Sequence, residues 1–270
     1  MSLPQIQKAW RATAKGEPSK VLRLDDNVPV PKLNRGEVAV KLLIHHHTAA
    51  AVKERKGALA QYASISASHI VRRPVNVTPT QAAGIPLAAM TAYQALFDVA
   101  HLKPEQHVFI NGGSTAVGGF AIQIAKSIGC KVVASASGKN ESYVRSLGAD
   151  EFVDYTTGPL HATLAANPPS QKYHVFLETV GLLETSLYTS SEAYLAPGGI
   201  FLDSAGSPDL EVSCYLDIPY FGLADNARSG KIKPLVDSVY NFDDALKAYE
   251  RIMTGRATGK VVVKVDLETE

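Results

Sequence analysis

Short apolar runs alternate with helical patterns from about residue 105 onward, and no other feature limits the fold of this chain as strongly. The apolar runs, each of strand length, are His107–Asn111, Lys131–Ser135, Glu151–Tyr155, Tyr173–Glu178 and Gly199–Ser204. Apolar residues at helical spacing follow the first run in Gly118–Ile128 and the second in Asn140–Leu147. Strands that alternate with helices in this way form a parallel sheet that helices cover on both faces. The sequence therefore predicts an α/β fold with a doubly wound parallel sheet.

The segments that flank this region have other patterns. Residues 1–75 are rich in Pro, Val and Lys and include turn-rich stretches such as Val28–Gly36, which indicate strands joined by turns. Pro79–Phe97 predicts a helix that leads into the α/β region. After the sheet, an amphipathic pattern predicts a helix over Phe242–Gly255, and Gly259–Val265 predicts a closing strand.

The composition argues against several classes of partner. The chain has 270 residues, of which 27 are basic and 26 are acidic, so its formal net charge is +1. A near-neutral balance without a basic run argues against nucleic acid or an anionic membrane as the main partner. The longest uncharged stretch, Pro74–Phe97, is interrupted by prolines and amide side chains, so it does not predict a membrane span.

The cysteines and the opening residues bear on the compartment. Cys130 and Cys214 are too few for a disulfide framework or for a four-thiolate zinc site, so we expect a reduced, cytoplasmic protein. The first residues lack the apolar core of a secretory signal. Lys8, Arg11 and Lys15 occur there without an acidic neighbour, which leaves a mitochondrial transit peptide as a minor alternative.

The sharpest motif is the glycine-rich segment Asn111–Gly119, which follows a predicted strand and opens a predicted helix. Such a turn lets backbone N–H groups approach a pyrophosphate, while the helix N-terminus contributes positive potential. The motif departs from the full G-x-G-x-x-G pattern, since Thr115 stands where the middle glycine is expected. The alternative is a glycine-rich turn that binds nothing.

The same segment comes within one residue of the G-x-S-x-G nucleophile elbow of hydrolases. That chemistry requires a later carboxylate and then a histidine as the base. The last histidine of the chain is His174, inside a predicted strand, so the hydrolase interpretation is poor.

The end of the second predicted strand indicates which dinucleotide would bind. An adenine ribose with a free 2′-hydroxyl is usually held by an acidic residue about 20 residues after the glycines. Here the segment Ser135–Asn140 contains no acid before Glu141. Ser137 can donate a hydrogen bond to a 2′-phosphate and Lys139 can neutralise it, which favours NADPH over NADH. The alternative for Lys139 is a solvated loop lysine.

Several further segments, in their order along the chain, resemble a known family. They are Gln7–Trp10, Gly36–Lys41, Gly57–Tyr62, Ala82–Leu96, Leu147–Asp150, Glu178–Gly181, Gly230–Pro234 and Gly259–Val263. Together with the glycine-rich turn, they are similar to the medium-chain dehydrogenase/reductase superfamily, in its zinc-independent quinone oxidoreductase branch. The resemblance covers most of the chain.

The resemblance implies a GroES-like, β-rich catalytic domain that is split around a Rossmann domain. Its N-terminal part would span residues 1–95, the NADP-binding Rossmann domain residues 96–210, and the return to the catalytic domain residues 211–270. The implied activity is hydride transfer from NADPH to a quinone or to an α,β-unsaturated carbonyl (enoyl) substrate. The implied partner is therefore a small molecule, and the nicotinamide supplies the chemistry while the protein mainly positions it.

The resemblance also implies a set of cofactor-binding residues, whereas it assigns no catalytic side chain. By position, the pyrophosphate would be held by Ser114, Thr115, Ala116, Val117 and Gly118, and the 2′-phosphoribose by Ser137, Lys139 and Tyr155. Thr91, Val180 and Ser204 would lie near the nicotinamide, and Lys260 near the C-terminal edge of the cofactor site.

Two segments are shorter than the resemblance leads us to expect. The catalytic domain is shortened near residues 44–56, where the family normally lines the substrate pocket. A second shortfall follows Gly206–Pro208, where strands often used for dimerisation are expected before Ala224. A nucleotide-binding but catalytically impaired protein with a non-enzymatic role is therefore the alternative function, and a homodimer is a candidate assembly.

The consecutive histidines His45–His47 invite a metal interpretation. Neighbouring residues of a strand point to alternate faces, so three in a row do not converge on one ion without a sharp bend. We therefore predict no metal site.

Overall fold

The computed structural model describes residues 3–42, 44–45, 59–70, 72–182, 184–204 and 229–266. These residues divide into two compact units. The first unit comprises the described residues as far as Leu87 and those from Val236 onward. The second unit comprises the described residues from Ala88 to Ser204 together with Ser229–Leu235.

The first unit is mainly β-structure and the second alternates strands with helices. The strands are β1 (Ile6–Ala12), β2 (Leu22–Pro29), β3 (Glu37–Lys41), β4 (Ile44–His45), β5 (Tyr62–Ser66), β6 (His107–Asn111), β7 (Lys131–Ala136), β8 (Glu151–Asp154), β9 (Tyr173–Glu178), β10 (Leu195–Asp203), β11 (Val236–Asn241) and β12 (Lys260–Lys264). The α-helices are α1 (Pro18–Val21), α2 (Pro79–Ala83), α3 (Pro86–Tyr93), α4 (Ala116–Ser127), α5 (Glu141–Ser146), α6 (Leu160–Ala166), α7 (Ser186–Thr189) and α8 (Ala245–Met253). No helix in these ranges is long and apolar enough to cross a membrane.

The first unit contains small sheets rather than one large one. Strands β1 and β2 pair antiparallel, as do β3 and β5, while β12 pairs parallel with β11 and antiparallel with β4. Helix α8 packs its buried Ala245 and Ala248 into a cluster that includes Val261 of β12. The Trp10 indole joins this cluster and donates a hydrogen bond of 2.8 Å to the Phe242 carbonyl.

The second unit is built on a five-stranded parallel sheet of order β10-β9-β6-β7-β8. The predicted α/β fold is therefore confirmed. Strand β6 is buried along its whole length, as expected of a central strand covered on both faces. Because β6 is the first strand of this sheet along the chain and its neighbours β7 and β9 lie on opposite sides of it, the strand order reverses at β6.

Aromatic side chains fill one face of this sheet. The rings of Phe109 and Phe176 stack with centroids 4.7 Å apart, and Phe201 stacks on Phe176 at the same distance. Tyr194 closes the cluster and is fully buried, with its hydroxyl donating to the Leu187 carbonyl. Such pairs add about 0.5–1.5 kcal/mol each to the stabilisation from their burial.

The strands predicted at His107–Asn111 and Tyr173–Glu178 have those bounds in the structure. The strand predicted at Gly199–Ser204 begins earlier, because Leu195 already pairs with Tyr173 before an irregularity in the register. The helix predicted to begin at Gly118 begins at Ala116, because the Thr115 side chain caps it.

The helix predicted over Pro79–Phe97 is divided in the structure. Helix α2 ends at Ala83, and Pro86 begins α3, because proline has no N–H with which to continue the preceding helix. A π-helical segment, Gln94–Val99, follows α3. The helix predicted over Phe242–Gly255 has a 3₁₀ first turn and is α-helical over Ala245–Met253.

Candidate functional site

The reversal of strand order at β6 marks where a ligand would bind. In open parallel sheets, ligands lie in the crevice at the carboxyl ends of the strands beside such a reversal. The glycine-rich turn begins immediately after β6, and Val180 follows β9 on the neighbouring strand. The motif singled out in the sequence therefore lies at the topologically expected position.

The two glycines that bracket the turn have no room for a side chain. Gly112 has φ +84°, and a Cβ there would lie 2.6 Å from Cγ2 of Val180. A Cβ on Gly118 would lie 2.2 Å from the Gly112 carbonyl oxygen. Helix α4 thus packs directly against the backbone of the turn, which only glycine at these positions permits.

Thr115 replaces the expected middle glycine and serves as the N-cap of α4. Its Oγ1 accepts a hydrogen bond of 2.9 Å from the Gly118 amide. The amides of Ser114, Ala116 and Val117 make no hydrogen bond within the described part of the chain, and these residues are partly exposed. Unpaired amides at the start of a helix are a suitable site for an anion.

The candidates for the adenosine end lie at the carboxyl ends of β7 and β8, which are neighbours in the sheet. Ser137 follows β7, and its Oγ accepts a hydrogen bond of 3.3 Å from the Asn140 side chain. Lys139 is exposed in the 3₁₀ turn after it, and Tyr155 is 51% exposed after β8. The structure therefore brings a hydroxyl, an ammonium group and a phenol to one edge.

One carboxylate at this edge was not singled out in the sequence. Asp154 ends β8, and its Oδ1 accepts hydrogen bonds from the Thr156 amide and hydroxyl at 2.9 and 2.7 Å. These bonds hold the pKa of Asp154 below its ordinary value. Asp154 also limits the space beside Gly138, where a Cβ would lie 2.4 Å from Oδ2.

The remaining candidates divide between the two units. Val180 is 51% exposed after β9, and the adjacent Ser204 donates from its amide and hydroxyl to the Glu178 carbonyl, at 2.9 and 2.8 Å. Thr91 lies on α3 in the second unit. Lys260 begins β12 in the first unit, where burial lowers its pKa to about 8. The roles of these residues stay predictions.

Four buried polar residues beneath the turn received no role from the sequence. Asn111, Ser135, Glu178 and Thr179 are each at most 7% exposed and lie at or next to the carboxyl ends of β6, β7 and β9. Each ends or follows an otherwise apolar run, and this signal would have found them.

Within the described residues, no group of three or more His, Cys, Asp or Glu side chains could hold a metal ion. His46, His47 and Cys214 lie outside the described residues. Cys130 is buried, where burial raises the pKa of its thiol, and its Sγ donates to the Lys103 carbonyl at 3.3 Å. Cys130 is therefore a packing residue.

Known proteins were found that are similar to this chain. A family model for a zinc-binding dehydrogenase matches residues 116–221, and a second such model matches residues 222–263. Trans-enoyl reductase pgmF of Aspergillus terreus is 30% identical over 240 residues, which cover 78% of this chain and 66% of the relative. A chloroplastic quinone-oxidoreductase homolog of Spinacia oleracea is 30% identical over 231 residues, which cover 77% and 69%. The structure of mycobacterial Rv1454c complexed with NADPH matches 96% of this chain and 100% of its own, with a TM-score of 0.79 and 19% identity.

A doubly wound parallel sheet with a glycine-rich turn at the strand reversal defines a unit of the dinucleotide-binding class. With these relatives, the chain belongs to the medium-chain dehydrogenase/reductase superfamily, a group of oxidoreductases, in its quinone oxidoreductase-like branch. The aligned region spans about two thirds of the length of the two relatives.

Proposed function

We propose that this protein is an NADPH-dependent oxidoreductase that transfers hydride to a quinone or to an α,β-unsaturated carbonyl (enoyl) substrate. The observation that carries the proposal is the turn after β6, where the partly exposed residues Ser114, Ala116 and Val117 have amides without a hydrogen-bond partner among the described residues, at the N-terminus of α4. The names of the two relatives, a trans-enoyl reductase and a quinone-oxidoreductase homolog, support the substrate class.

The pyrophosphate would be held by the backbone of Ser114–Gly118. The amides of Ser114, Ala116 and Val117 would donate to its oxygens, and the dipole of α4 would favour its negative charge. The Thr115 Oγ1 accepts from the Gly118 amide, and its hydrogen is directed to Thr179 Oγ1 at 3.0 Å, because the Thr179 hydroxyl donates to the Asn111 carbonyl. Thr115 would therefore act through its position rather than as a direct donor. Gly118 would keep α4 close to the turn.

The 2′-phosphoribose would be held by Ser137, Lys139 and Tyr155. The Lys139 ammonium is exposed and makes no ion pair among the described residues, so it is available for a phosphate. The carboxylate of Asp154 lies on the same edge, with Oδ1 occupied by Thr156. NADPH is therefore favoured by the charge of Lys139 and by the absence of an acid from Ser135–Asn140.

The nicotinamide, when bound, supplies the hydride that the substrate accepts. Val180 would present an apolar surface to the ring, because its side chain is half-exposed at the carboxyl end of β9. Ser204 would fix the neighbouring strand end through its bonds to the Glu178 carbonyl. By family resemblance alone, Thr91 would lie near the nicotinamide and Lys260 near the C-terminal edge of the cofactor site.

Turnover tests this proposal directly. The purified chain is mixed with NADPH and a panel of quinones and enones, and the loss of NADPH absorbance is followed. We expect oxidation of NADPH that depends on at least one class of acceptor. Absence of NADPH binding would contradict the proposal.

The alternative is a nucleotide-binding protein with impaired catalysis and a non-enzymatic role. It is motivated by the aligned region, which reaches only about two thirds of the relatives' length. NADPH binding without oxidation by any acceptor in the panel would favour it over the main proposal.

The same proposal has three further parts, which are zinc independence, a cytoplasmic location and a homodimer. Zinc independence rests on the two cysteines of the chain, and we expect turnover to survive dialysis against a chelator. A fall in turnover that added zinc restores would contradict it.

Because relatives include chloroplastic and mitochondrial proteins, the location is tested by imaging of the tagged full-length protein, with mitochondria as the alternative.

A further inference from the structure

A buried carboxyl group lies directly beneath the proposed cofactor site. Glu178 ends β9 and is only 3% exposed. Burial raises its pKa, against the opposing hydrogen bonds from Asn111 and the backbone, and Asp203 of β10 raises it further. Burying a carboxyl group is costly unless it is well bonded, so its bonds indicate what it does.

The two oxygens of Glu178 have different partners. Oε1 accepts from the Val180 amide and, at 3.2 Å, from the Gly181 amide. Oε2 accepts from the Asn111 side-chain amide at 2.5 Å. Gly181 has φ +81°, so the carboxylate holds a left-handed turn that carries Val180. One oxygen therefore shapes the turn after β9, and the other reaches across to β6.

From Asn111 a chain of hydrogen bonds continues to the glycine-rich turn. The Asn111 Oδ1 accepts from the Ser135 hydroxyl at 2.5 Å, and the Ser135 Oγ accepts from the Gly112 amide at 3.3 Å. Glu178, Asn111 and Ser135 end or nearly end adjacent parallel strands, which is why residues distant in sequence meet here.

Thr179 joins the same two turns by a second route. Its hydroxyl donates to the Asn111 carbonyl at 2.7 Å, and its Oγ1 lies 3.0 Å from Oγ1 of Thr115, the cap of α4. The turn after β9 and the turn after β6 are therefore connected by side chains.

We propose that Glu178 is a positioning residue whose carboxylate, through Asn111 and Ser135, fixes the relative geometry of the two turns that would receive the dinucleotide. This inference rests on the proposed function for its effect on cofactor binding, but not for its effect on the turns themselves.

The charge of Glu178 decides which group donates and which accepts in each hydrogen bond between Glu178, Asn111 and Ser135. As a carboxylate, Glu178 only accepts, so Asn111 must donate to it and accept from Ser135. Protonated at Oε2, Glu178 would donate, and the Asn111 amide would have to turn over and donate to Ser135. Among the described residues, the ionisable side chains that line the same cavity of about 310 Å³ as Glu178 are Glu184, Tyr188 and Asp203. Of these, Asp203 raises the pKa of Glu178.

Amide NMR of the unliganded protein tests this hydrogen-bond relay, which runs from Glu178 through Asn111 and Ser135 to Gly112, without the cofactor. In a pH series, we expect the Gly112 and Gly181 amide shifts of the wild type to titrate together, with a midpoint above the ordinary pKa of a glutamate. In the variant Glu178→Gln, the side-chain oxygen accepts from the Val180 and Gly181 amides, so its NH2 group faces Asn111 and donates to it. The variant cannot ionise and should abolish both titrations. A Gly112 shift that is identical in the wild type and the variant, or Gly112 and Gly181 shifts that titrate independently of each other, would overturn the proposal.

The variant Ser135→Ala distinguishes transmission through the hydrogen-bond relay from a general loss of order at the site. It removes the link between Asn111 and Gly112 but leaves the bonds of Glu178 to Val180 and Gly181 intact. We expect the Gly112 titration to disappear while the Gly181 titration remains. This variant also keeps the proposal testable if Glu178→Gln does not fold, and equal loss of both titrations would contradict the relay.

Nucleotide binding is the functional arm of the test. NADH is the probe for the pH series, because the 2′-phosphate of NADPH itself titrates near pH ~6. At about pH 8 we expect Glu178→Gln to weaken NADH binding about tenfold, the equivalent of one charged hydrogen bond, and to flatten its pH dependence. Glu151→Gln is the matched control, because Glu151 begins β8 at the opposite end of the sheet and pairs with Lys131.

The outcomes distinguish the two proposals. Wild-type affinity and pH dependence in Glu178→Gln would overturn the role of Glu178 and leave the proposed function intact. A wild-type protein that binds neither NADH nor NADPH would overturn the proposed function, while the amide titrations would still decide whether Glu178 positions the turns.

Discussion

The two ends of the same parallel sheet bury ionisable side chains in different ways. At the carboxyl end, both oxygens of Glu178 accept hydrogen bonds, and the adjacent turn has amides without a partner in the part of the chain that the structure describes. At the amino end, His107 is 2% exposed, and its Nε2 has no hydrogen-bond partner within the described residues. At the carboxyl end the buried carboxylate is fully hydrogen-bonded and the donors left over lie in the turn, whereas at the amino end a buried acceptor is left without a partner among the described residues.

The tautomer of His107 follows from its neighbours. Its Nδ1 lies 2.6 Å from the Gln171 carbonyl, which can only accept, so Nδ1 carries the hydrogen in the neutral ring. The backbone amide of His107 donates to Nδ1 of His174 at 3.1 Å. Burial lowers the pKa of His107, so the folded state favours the neutral ring.

The difference teaches where function can reside in this unit. At the amino end, backbone bonds such as Lys131 to Gln106 and Tyr173 to Tyr194 close the strand ends. At the carboxyl end, the left-handed Gly112 turns the chain away and exposes amides at the start of α4. We therefore expect changes at the carboxyl end to alter nucleotide binding and changes at the amino end to alter stability alone.

The largest effect on binding is expected from Gly118→Ala. The added Cβ would lie 2.2 Å from the Gly112 carbonyl, so α4 must shift away from the turn. We expect NADPH affinity to fall by about 100-fold or more, since displacement of a positioned site by about 1 Å has effects of this size. Calorimetric titration measures the affinity, and the melting temperature reports whether the variant folds.

Gly158→Ala is the matched control for that substitution. Gly158 has an extended backbone, and a Cβ there would meet only Oγ1 of Thr163, at 3.8 Å. We expect affinity and melting temperature close to those of the wild type. Equal losses in both glycine variants would contradict the assignment of the site to the turn after β6.

A smaller effect is expected from Lys139→Ala. Loss of the exposed ammonium should weaken NADPH binding by roughly 3- to 10-fold and leave NADH binding unchanged, because an exposed ion pair contributes little more than about 1 kcal/mol. Lys103→Ala removes the same charge from an exposed residue near the amino end and should change neither affinity. If the two variants behave alike, Lys139 does not contact the 2′-phosphate.

His107→Gln is expected to leave nucleotide binding unchanged and to alter only the pH dependence of stability. Because the folded pKa is lowered, the unfolded chain takes up a proton below pH ~6.5 that the folded chain does not. The contribution of the neutral His107 to the free energy of unfolding is therefore fully present above this pH. It falls as the pH drops toward the folded pKa, by at most about 1.4 kcal/mol per pH unit. His107→Gln should reduce this decline in urea unfolding without changing NADPH affinity.

His161→Gln, on α6, is the control and should keep the wild-type pH dependence of stability. An altered NADPH affinity in His107→Gln would break the separation between the two ends of the sheet.

The strands of the second unit were predictable because buried parallel strands form continuous apolar runs, as in His107–Asn111. The turn was predictable because its glycines occupy positions that exclude any side chain. The start of α4 at Ala116 was not predicted, since it depends on the Thr115 cap rather than on apolar spacing. The break between α2 and α3 at Pro86 was also missed, because the apolar pattern continues across it.

The buried network was not predictable from spacing alone. Asn111 and Glu178 are far apart in sequence and meet only because β6 pairs with β9. The polar ends of the two runs were visible, but their connection depends on the order of the strands. The roles of Thr91 and Lys260 came from family resemblance, and they stay predictions.

The most direct test of the central claim is a paired titration of the purified chain with NADPH and NADH. We expect both nucleotides to bind, NADPH roughly 3- to 10-fold more tightly because of Lys139, and we expect this preference to disappear in Lys139→Ala. Tighter binding of NADH by the wild type would contradict the assignment of the 2′-phosphate site. Absence of binding by either nucleotide would contradict the assignment of the turn itself.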